Sequence, residues 1–154
     1  MTRMTGALAP MAVAGLDLAE LVGLAVDLAR TPPRWRPHLR HGHGRRWYVR
    51  LLADAHTEAW LLGWPAGLVT PAHDHGGATV AVTVVEGSLS EECLDPTIWT
   101  TGRRTTWRAG ASTLFPRGHV HLLGAAGDGP AVAVHAWTAP AGSADRRAGR
   151  FALA

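Results

Sequence analysis

Several residue types are rare or missing in this chain of 154 residues, and each absence excludes a class of protein. Cys93 is the one cysteine, so an intrachain disulfide is excluded and we expect a reducing, cytoplasmic setting. The apolar runs are far shorter than the roughly 20 residues of a membrane-spanning helix, so we expect no membrane association. Lysine, asparagine and glutamine are absent, and the 15 Lys+Arg residues are all arginine.

The arginines make the chain look basic, but its formal net charge is only +3 at pH 7. A charge this small does not indicate a nucleic-acid partner. The composition, 47% hydrophobic and 18% charged, is that of a globular protein and excludes a disordered one. The length fits one domain, and we expect a monomer that binds neither nucleic acid nor membrane.

The residue pattern predicts a helical segment followed by short strands. Apolar residues spaced by three and four predict an amphipathic helix from Leu16 to Arg30, with Asp17 and Glu20 as its capping box. Proline and glycine predict a loop or short helical turns from Thr31 to Arg46. Short runs of Val, Leu, Thr and Trp between turn residues then predict strands over Trp47–Ala53, Glu58–Trp64, Thr79–Glu86, Ser88–Asp95, Thr105–Arg108, Ser112–Phe115, Val120–Leu123 and Ala131–Thr138.

These elements predict a mainly β protein, a sandwich or small barrel with a helical segment in front. We expect residues 1–46 to pack on the barrel as a helical segment and loop. The barrel itself is predicted over residues 47–140, and a flexible tail over residues 141–154.

Histidine is frequent, with nine residues, and three of them fall in two strings punctuated by glycine and proline. The strings are Gly67, His73, His75 and Gly87, and then Gly110, Pro116, Gly118 and His121. Both have the spacing of the two cupin motifs, so the chain resembles a cupin, which implies a jelly-roll-like β-barrel. Two positions depart from these motifs: Thr79 or Val80 replaces the acidic ligand, and Ala125 replaces the final asparagine.

The spacing of the histidines favours a metal site. In an extended segment His73 and His75 point to the same face, and a later strand can supply a third ligand. His119 and His121 are also two residues apart, so spacing alone does not choose between them, although the motif register favours His121. Three neutral imidazoles suit Fe(II), Zn, Cu or Ni and leave open positions for an anionic substrate that itself coordinates.

Four histidines outside this pattern carry no functional prediction. His41 and His43 form a rival His-x-His pair, but they lie between glycines in an arginine-rich loop with no strand to orient them. We expect them, with His38 and His56, to be ordinary core or surface residues.

From about Trp35 to Pro140 the chain resembles one group of cupins, the cysteine dioxygenase family of thiol dioxygenases. The absence of an acidic ligand is itself typical of that family. The matching segments are Trp47–Leu52, which resembles the family's tyrosine-x-arginine strand, then Trp64, Pro71–Gly76, Val85–Leu89, His121 and His135–Pro140.

This resemblance implies a mononuclear non-heme Fe(II) held by His73, His75 and His121. It implies that a small-molecule thiol binds as the thiolate, that O2 binds beside it, and that both oxygen atoms end on sulfur as a sulfinic acid. The substrate carboxylate would pair with Arg50. The remaining predicted catalytic or substrate residues are Tyr48, beside Arg50, and His135, which would orient the substrate or the oxygen.

Departures from the family bear on the substrate. Mammalian members carry a cysteine–tyrosine crosslink beside the iron, and here Val80 and Trp137 occupy those two positions, with Ala133 in place of a serine. No crosslink can form. An indole offers a broad face to a ring or a cation. We therefore predict that Trp137 lines the site as a further catalytic and substrate-binding residue. We predict that the substrate is cysteine or, given this indole, a different or larger thiol such as a mercapto acid or ergothioneine.

Two alternatives remain open from the sequence. The same histidines could hold another metal for a different cupin oxygenase or isomerase reaction. The chain could instead be a cupin that binds a metal or ligand as a sensor or storage module, its chemistry lost with the tyrosine. Metal analysis followed by thiol-dependent O2 consumption separates these functions.

Overall fold

The computed structural model describes residues 16–42, 44–95 and 100–138. The predicted tail, Ala139, Pro140 and His43 lie outside the described residues. In the described ranges no helix is both long and apolar enough to cross a membrane.

The predicted helix is present as α1, Leu18–Ala29, slightly shorter than expected at each end. Its capping box is confirmed, because the Asp17 carboxylate accepts the Glu20 amide at 2.8 Å and the Glu20 carboxylate accepts the Asp17 amide at 2.8 Å. The predicted loop or helical turns contain a short helix α2, Pro32–Trp35, and a 3-10 turn over Arg36–His38.

All the predicted strands occur among the described residues. The main difference is the fifth strand, which begins at Thr100 rather than Thr105 because its polar first residues pair with the end of the preceding strand. The strands are β1 Trp47–Ala53, β2 Thr57–Trp64, β3 Val80–Glu86, β4 Ser88–Asp95, β5 Thr100–Arg108, β6 Ser112–Phe115, β7 Val120–Ala125 and β8 Ala131–Thr138.

The strands form two antiparallel sheets, which confirms the mainly β fold. The larger sheet has the order β1-β2-β8-β3-β6, and the smaller sheet has the order β5-β4-β7. Strand β1 is therefore an edge of the larger sheet, a position that leaves one side of its backbone unpaired within that sheet.

The larger sheet has two distinct faces because side chains alternate along each strand. On the outer face α1 packs against an apolar cluster that includes Val132, Val134 and Ala136 of β8. The inner face, to which Ala133 belongs, shares a second cluster with Leu89 of the smaller sheet. Residues in register with this face are Tyr48 and Arg50 of β1 and His135 and Trp137 of β8.

Candidate metal and substrate site

His73 and His75 lie in the loop between β2 and β3, not in a regular strand. The extended segment that the sequence suggested is cut short because a turn follows at once: Gly76 and Gly77 have φ of 58° and 83°, and the Asp74 carboxylate accepts the Gly76 amide at 3.0 Å. Glycine adopts such left-handed angles at little cost.

The loop is joined to β7 by two backbone bridges. His73 and His121 exchange both of their backbone hydrogen bonds at 3.0 Å. The second bridge joins Val69 to Gly124, where an added Cβ would collide with the Leu68 carbonyl oxygen. The close backbone approach at Gly124 therefore requires glycine, and it brings the His73 loop against the strand that carries His121.

The three predicted ligands converge. The ring centroid of His73 lies 5.4 Å from that of His75 and 4.8 Å from that of His121. The centroids of His75 and His121 are 4.9 Å apart. One nitrogen from each ring falls within 4.8 Å of the other two. Imidazole nitrogens grouped in this way are candidate ligands for a single divalent ion, which histidines bind through bonds of about 2 Å.

The surroundings of His121 also fit a metal. His121 is completely buried, and its Nε2 has no hydrogen-bond partner among the described residues. A buried nitrogen without a partner is costly, and a bound cation satisfies it. On the other side of the ring, Nδ1 lies 2.9 Å from Oε1 of Glu91.

Glu91 is a functional candidate that the sequence analysis missed. It is 6% exposed, and besides His121 it makes a short hydrogen bond with Nε2 of His119. Burial raises the pKa of Glu91, but the hydrogen bonds from His121 and His119 outweigh it, and the pKa lies below its ordinary value. Glu91 and His121 are 30 residues apart, and only the β4–β7 register, which pairs Cys93 with His121, brings them together.

His119 lies in a different environment from His121. It precedes β7, its ring stacks on Phe115 at 5.2 Å, and its Nε2 faces Glu91. The structure thus groups His121, rather than His119, with His73 and His75. A second set of mutually close donors consists of Glu91, His119 and His121.

The histidine cluster favours neutral imidazoles, the form that binds metals. Burial, assisted by the neighbouring His121 and His73, lowers the pKa of His75 to about 3. Burial also lowers the pKa of His73, although its backbone hydrogen bond to Pro71 acts in the opposite direction.

His135 is buried on the inner face between two indoles. Its ring centroid lies 5.5 Å from Trp64 and 5.4 Å from Trp137. Burial lowers the pKa of His135 well below its usual value, and His75 and Arg46 add to this shift. His135 is therefore a neutral imidazole near the histidine cluster.

Val80 and Trp137 are direct partners in the β3–β8 register. Val80 is fully buried, and Trp137 packs against the inner cluster. The two positions that the family resemblance relates to the crosslink are thus neighbours on the inner face.

Tyr48 and Arg50 lie at the exposed edge of the inner face. Tyr48 is 47% exposed, and its ring lies 5.8 Å from Trp60, over which the Arg50 guanidinium also lies at 5.8 Å. Sequence reasoning missed Trp60 and its neighbour Glu58, whose carboxylate accepts the Trp60 indole N–H at 3.2 Å.

Arg46 is a second cation near the site that was not predicted. It immediately precedes β1, and its guanidinium lies 5.1 Å above the Trp64 ring. Its charge contributes to the lowered pKa of His73 and of His135. The signal that could have identified it is the two-residue spacing of Arg46, Tyr48 and Arg50.

Among the other histidines, His38, His41 and His56 are exposed.

Two antiparallel sheets enclosing a histidine cluster are characteristic of cupins, and solved structures agree. A protein with a double-stranded β-helix domain from Klebsiella pneumoniae is 18% identical, with a TM-score of 0.57 over 70% of this chain and 89% of that one. A cupin superfamily protein from Desulfitobacterium hafniense is 11% identical, with a TM-score of 0.55 over 68% of this chain and 87% of that one. An RmlC-like cupin from Methanocaldococcus jannaschii is 14% identical, with a TM-score of 0.53 over 67% of this chain and 87% of that one. The fold is a cupin.

The particular family follows from the sequence match. The family described as cysteine dioxygenase type I matches residues 11–148, and the chain belongs to that family. A comparison with curated proteins finds no match.

Proposed function

We propose that this protein is a thiol dioxygenase that adds both atoms of O2 to the sulfur of a small-molecule thiol and produces a sulfinic acid. Membership of the cysteine dioxygenase family supports the reaction class. The observation that carries the proposal is the group of His73, His75 and His121, whose nitrogens lie within 4.8 Å of one another. We assign these three residues as ligands of Fe(II).

When bound, Fe(II) would stabilise the thiolate and allow sulfur and O2 to react at one centre. The protein supplies the surroundings. His135, a neutral and 2% exposed imidazole, can orient a reacting group through one hydrogen bond. Trp137 stacks on His135 and forms an apolar wall that limits the access of water.

The exposed edge of the inner face supports a proposal for the substrate. Among the described residues, Arg50 and Arg46 are candidates to bind a substrate carboxylate, and each guanidinium lies over an indole. Trp60 and Trp137 offer aromatic faces, and Glu58 offers a negative charge beside Trp60. Ergothioneine carries a carboxylate, a quaternary ammonium and an aromatic ring, so it can use all of these groups. Cysteine has no ring to stack on an indole, and a mercapto acid uses the arginines alone.

Anaerobic loading with Fe(II) followed by O2 uptake tests the activity. We expect uptake to depend on thiol, with one O2 consumed per sulfinic acid formed, and ergothioneine or 3-mercaptopropionate to exceed cysteine in kcat/KM. A clear preference for cysteine would contradict the substrate proposal alone. Stoichiometric iron with no turnover on any thiol would contradict the dioxygenase and favour a metal- or ligand-binding module.

We further propose that the protein acts in the cytoplasm as a monomer. Cys93, on β4, is its one cysteine and supports a reducing compartment. Size-exclusion chromatography with light scattering tests the oligomeric state.

A further inference from the structure

We propose that Glu91 is a positioning residue for the metal centre. It holds the His121 ring so that Nε2 faces His73 and His75, and it places a negative charge beside the ion without occupying a coordination position. This inference rests on the proposed three-histidine site and deepens it.

The hydrogen bond between Glu91 and His121 determines which nitrogen of His121 is free. A carboxylate only accepts hydrogen bonds, so the ring must donate Nδ1–H across the 2.9 Å contact. In a neutral imidazole the lone pair is then on Nε2. Nε2 is the atom that is buried without a partner. The contact thus selects the tautomer that binds metal.

The position of the carboxylate is itself well determined. Glu91 and His121 lie on paired strands and are both buried, so water does not compete for their hydrogen bond. His119 binds the same oxygen, and Phe115 stacks on His119 and packs edge-on against His121. These contacts restrict the rotation of both side chains.

The charge of Glu91 compensates for the missing acidic ligand. Three neutral imidazoles leave a divalent ion with its full charge, and a carboxylate bonded to the far side of one imidazole makes that ring a stronger donor. The open coordination positions stay available for substrate, whereas a carboxylate bound directly to the ion would occupy one.

Metal affinity tests this role without any thiol. We expect Glu91→Gln to weaken the binding of Fe(II) and of Co(II), measured anaerobically by competition with a chelator, by about 10- to 100-fold. The visible spectrum of bound Co(II) should also shift, because the donor strength of one imidazole changes. Glu92→Gln is the matched control, since Glu92 on the same strand pairs with the exposed Arg104 at 3.0 Å.

Several outcomes would overturn the proposal. Glu91 is not a positioning residue if Glu91→Gln binds metal with an affinity within about twofold of that of Glu92→Gln and if the two variants have the same Co(II) spectrum. Two ions bound per chain would assign Glu91, His119 and His121 to a second metal site instead. If Glu91→Gln does not fold, Glu91→Asp is the second variant, since it keeps the charge on a shorter side chain. We expect its metal affinity to be lower than that of the wild type but still measurable. The metal-binding result stands whether or not any thiol is oxidised, so it is separable from the proposed activity.

Discussion

The two faces of the larger sheet are built from the same strands but carry different side chains. On β8 the outer-face residues Val132, Val134 and Ala136 are apolar and buried under α1. The alternate positions of the same strand carry His135 and Trp137 toward the smaller sheet. Both faces bury apolar area, but only the inner face also carries His135 and Trp137 near the cluster of histidines.

Alternation along a strand thus separates residues that contribute mainly to folding from residues available for chemistry. A substitution on the outer face should change the free energy of unfolding and leave metal binding intact in the folded protein. A substitution of a proposed site residue on the inner face or across from it should instead change metal or substrate binding, with an added loss of stability where the side chain is buried.

The largest effect is expected at His121. His121→Ala removes the buried ring that contacts both His73 and His75, and we expect it to abolish stoichiometric iron binding. The measurement is metal analysis after anaerobic loading and desalting. His119→Ala should retain the iron, and the reverse result would show that His119 is the ligand.

On the outer face, Leu21→Ala should reduce stability instead. Leu21 is fully buried in α1 against the sheet, and we expect a loss of about 2–5 kcal/mol in the free energy of unfolding, measured with urea. Iron stoichiometry of the folded variant should equal that of wild type. Leu18→Ala is the control, because Leu18 in the same helix is 55% exposed.

Lowering the pH should destabilise the protein through its inner face. Burial lowers the pKa of His135 well below the ordinary 6.5, so below about pH 6.5 the unfolded chain binds a proton that the folded chain does not. Stability should therefore be constant above this pH and fall below it. Urea midpoints against pH, with a chelator present, measure this. His135→Phe should make the profile shallower but not flat, because the pKa values of His73 and His75 are lowered as well. An equal effect of His56→Phe, at an exposed position, would contradict the assignment.

The two arginines should differ in their contribution to substrate binding. A charged hydrogen bond contributes about 1.5–3 kcal/mol, so replacing the residue that binds the carboxylate should raise KM by about 10- to 100-fold. Steady-state kinetics of Arg50→Met and Arg46→Met on 3-mercaptopropionate identify which one it is. A KM unchanged in both variants would exclude a carboxylate contact at either position.

The smallest effect is expected at Trp137. A cation over an indole contributes about 0.5–2 kcal/mol, so Trp137→Leu, which removes the aromatic face, should reduce the preference for ergothioneine over 3-mercaptopropionate by about 2- to 30-fold. The ratio of kcat/KM values measures this preference. Trp35→Phe, a buried indole on the outer side, should leave the ratio unchanged, and an equal change there would refute a direct role for Trp137.

Local patterns predicted most of the fold. The bounds of β1, β4, β6 and β8 agree with the prediction, because apolar alternation and turn residues mark both ends of these strands. The start of β5 was missed because the sequence from Thr100 to Arg104 contains no alternation of apolar and polar residues, and this segment becomes a strand only by pairing with β4. Pairing between distant segments leaves no periodic signal in one of them.

The site was predictable to a similar extent. The spacing of glycine, proline and histidine identified His73, His75 and His121, and the structure brings these three together. Glu91 could not be found in this way, because it lies 30 residues from His121 and no motif relates the two. Trp60 and Glu58 lay in a predicted strand, but only the β1–β2 register places Arg50 opposite Trp60.

The backbone bridges at Val69–Gly124 and His73–His121 have a consequence for how the protein is loaded in the cell. Main-chain hydrogen bonds, rather than an ion, set the separation of His73 and His121, the first and last of the proposed ligands. A chelator should therefore strip a bound ion without unfolding the barrel, and loading should be reversible. Occupancy of the proposed site by Fe(II) would then be governed by the cellular supply of competing divalent ions, since an all-nitrogen site binds several of these more tightly than iron.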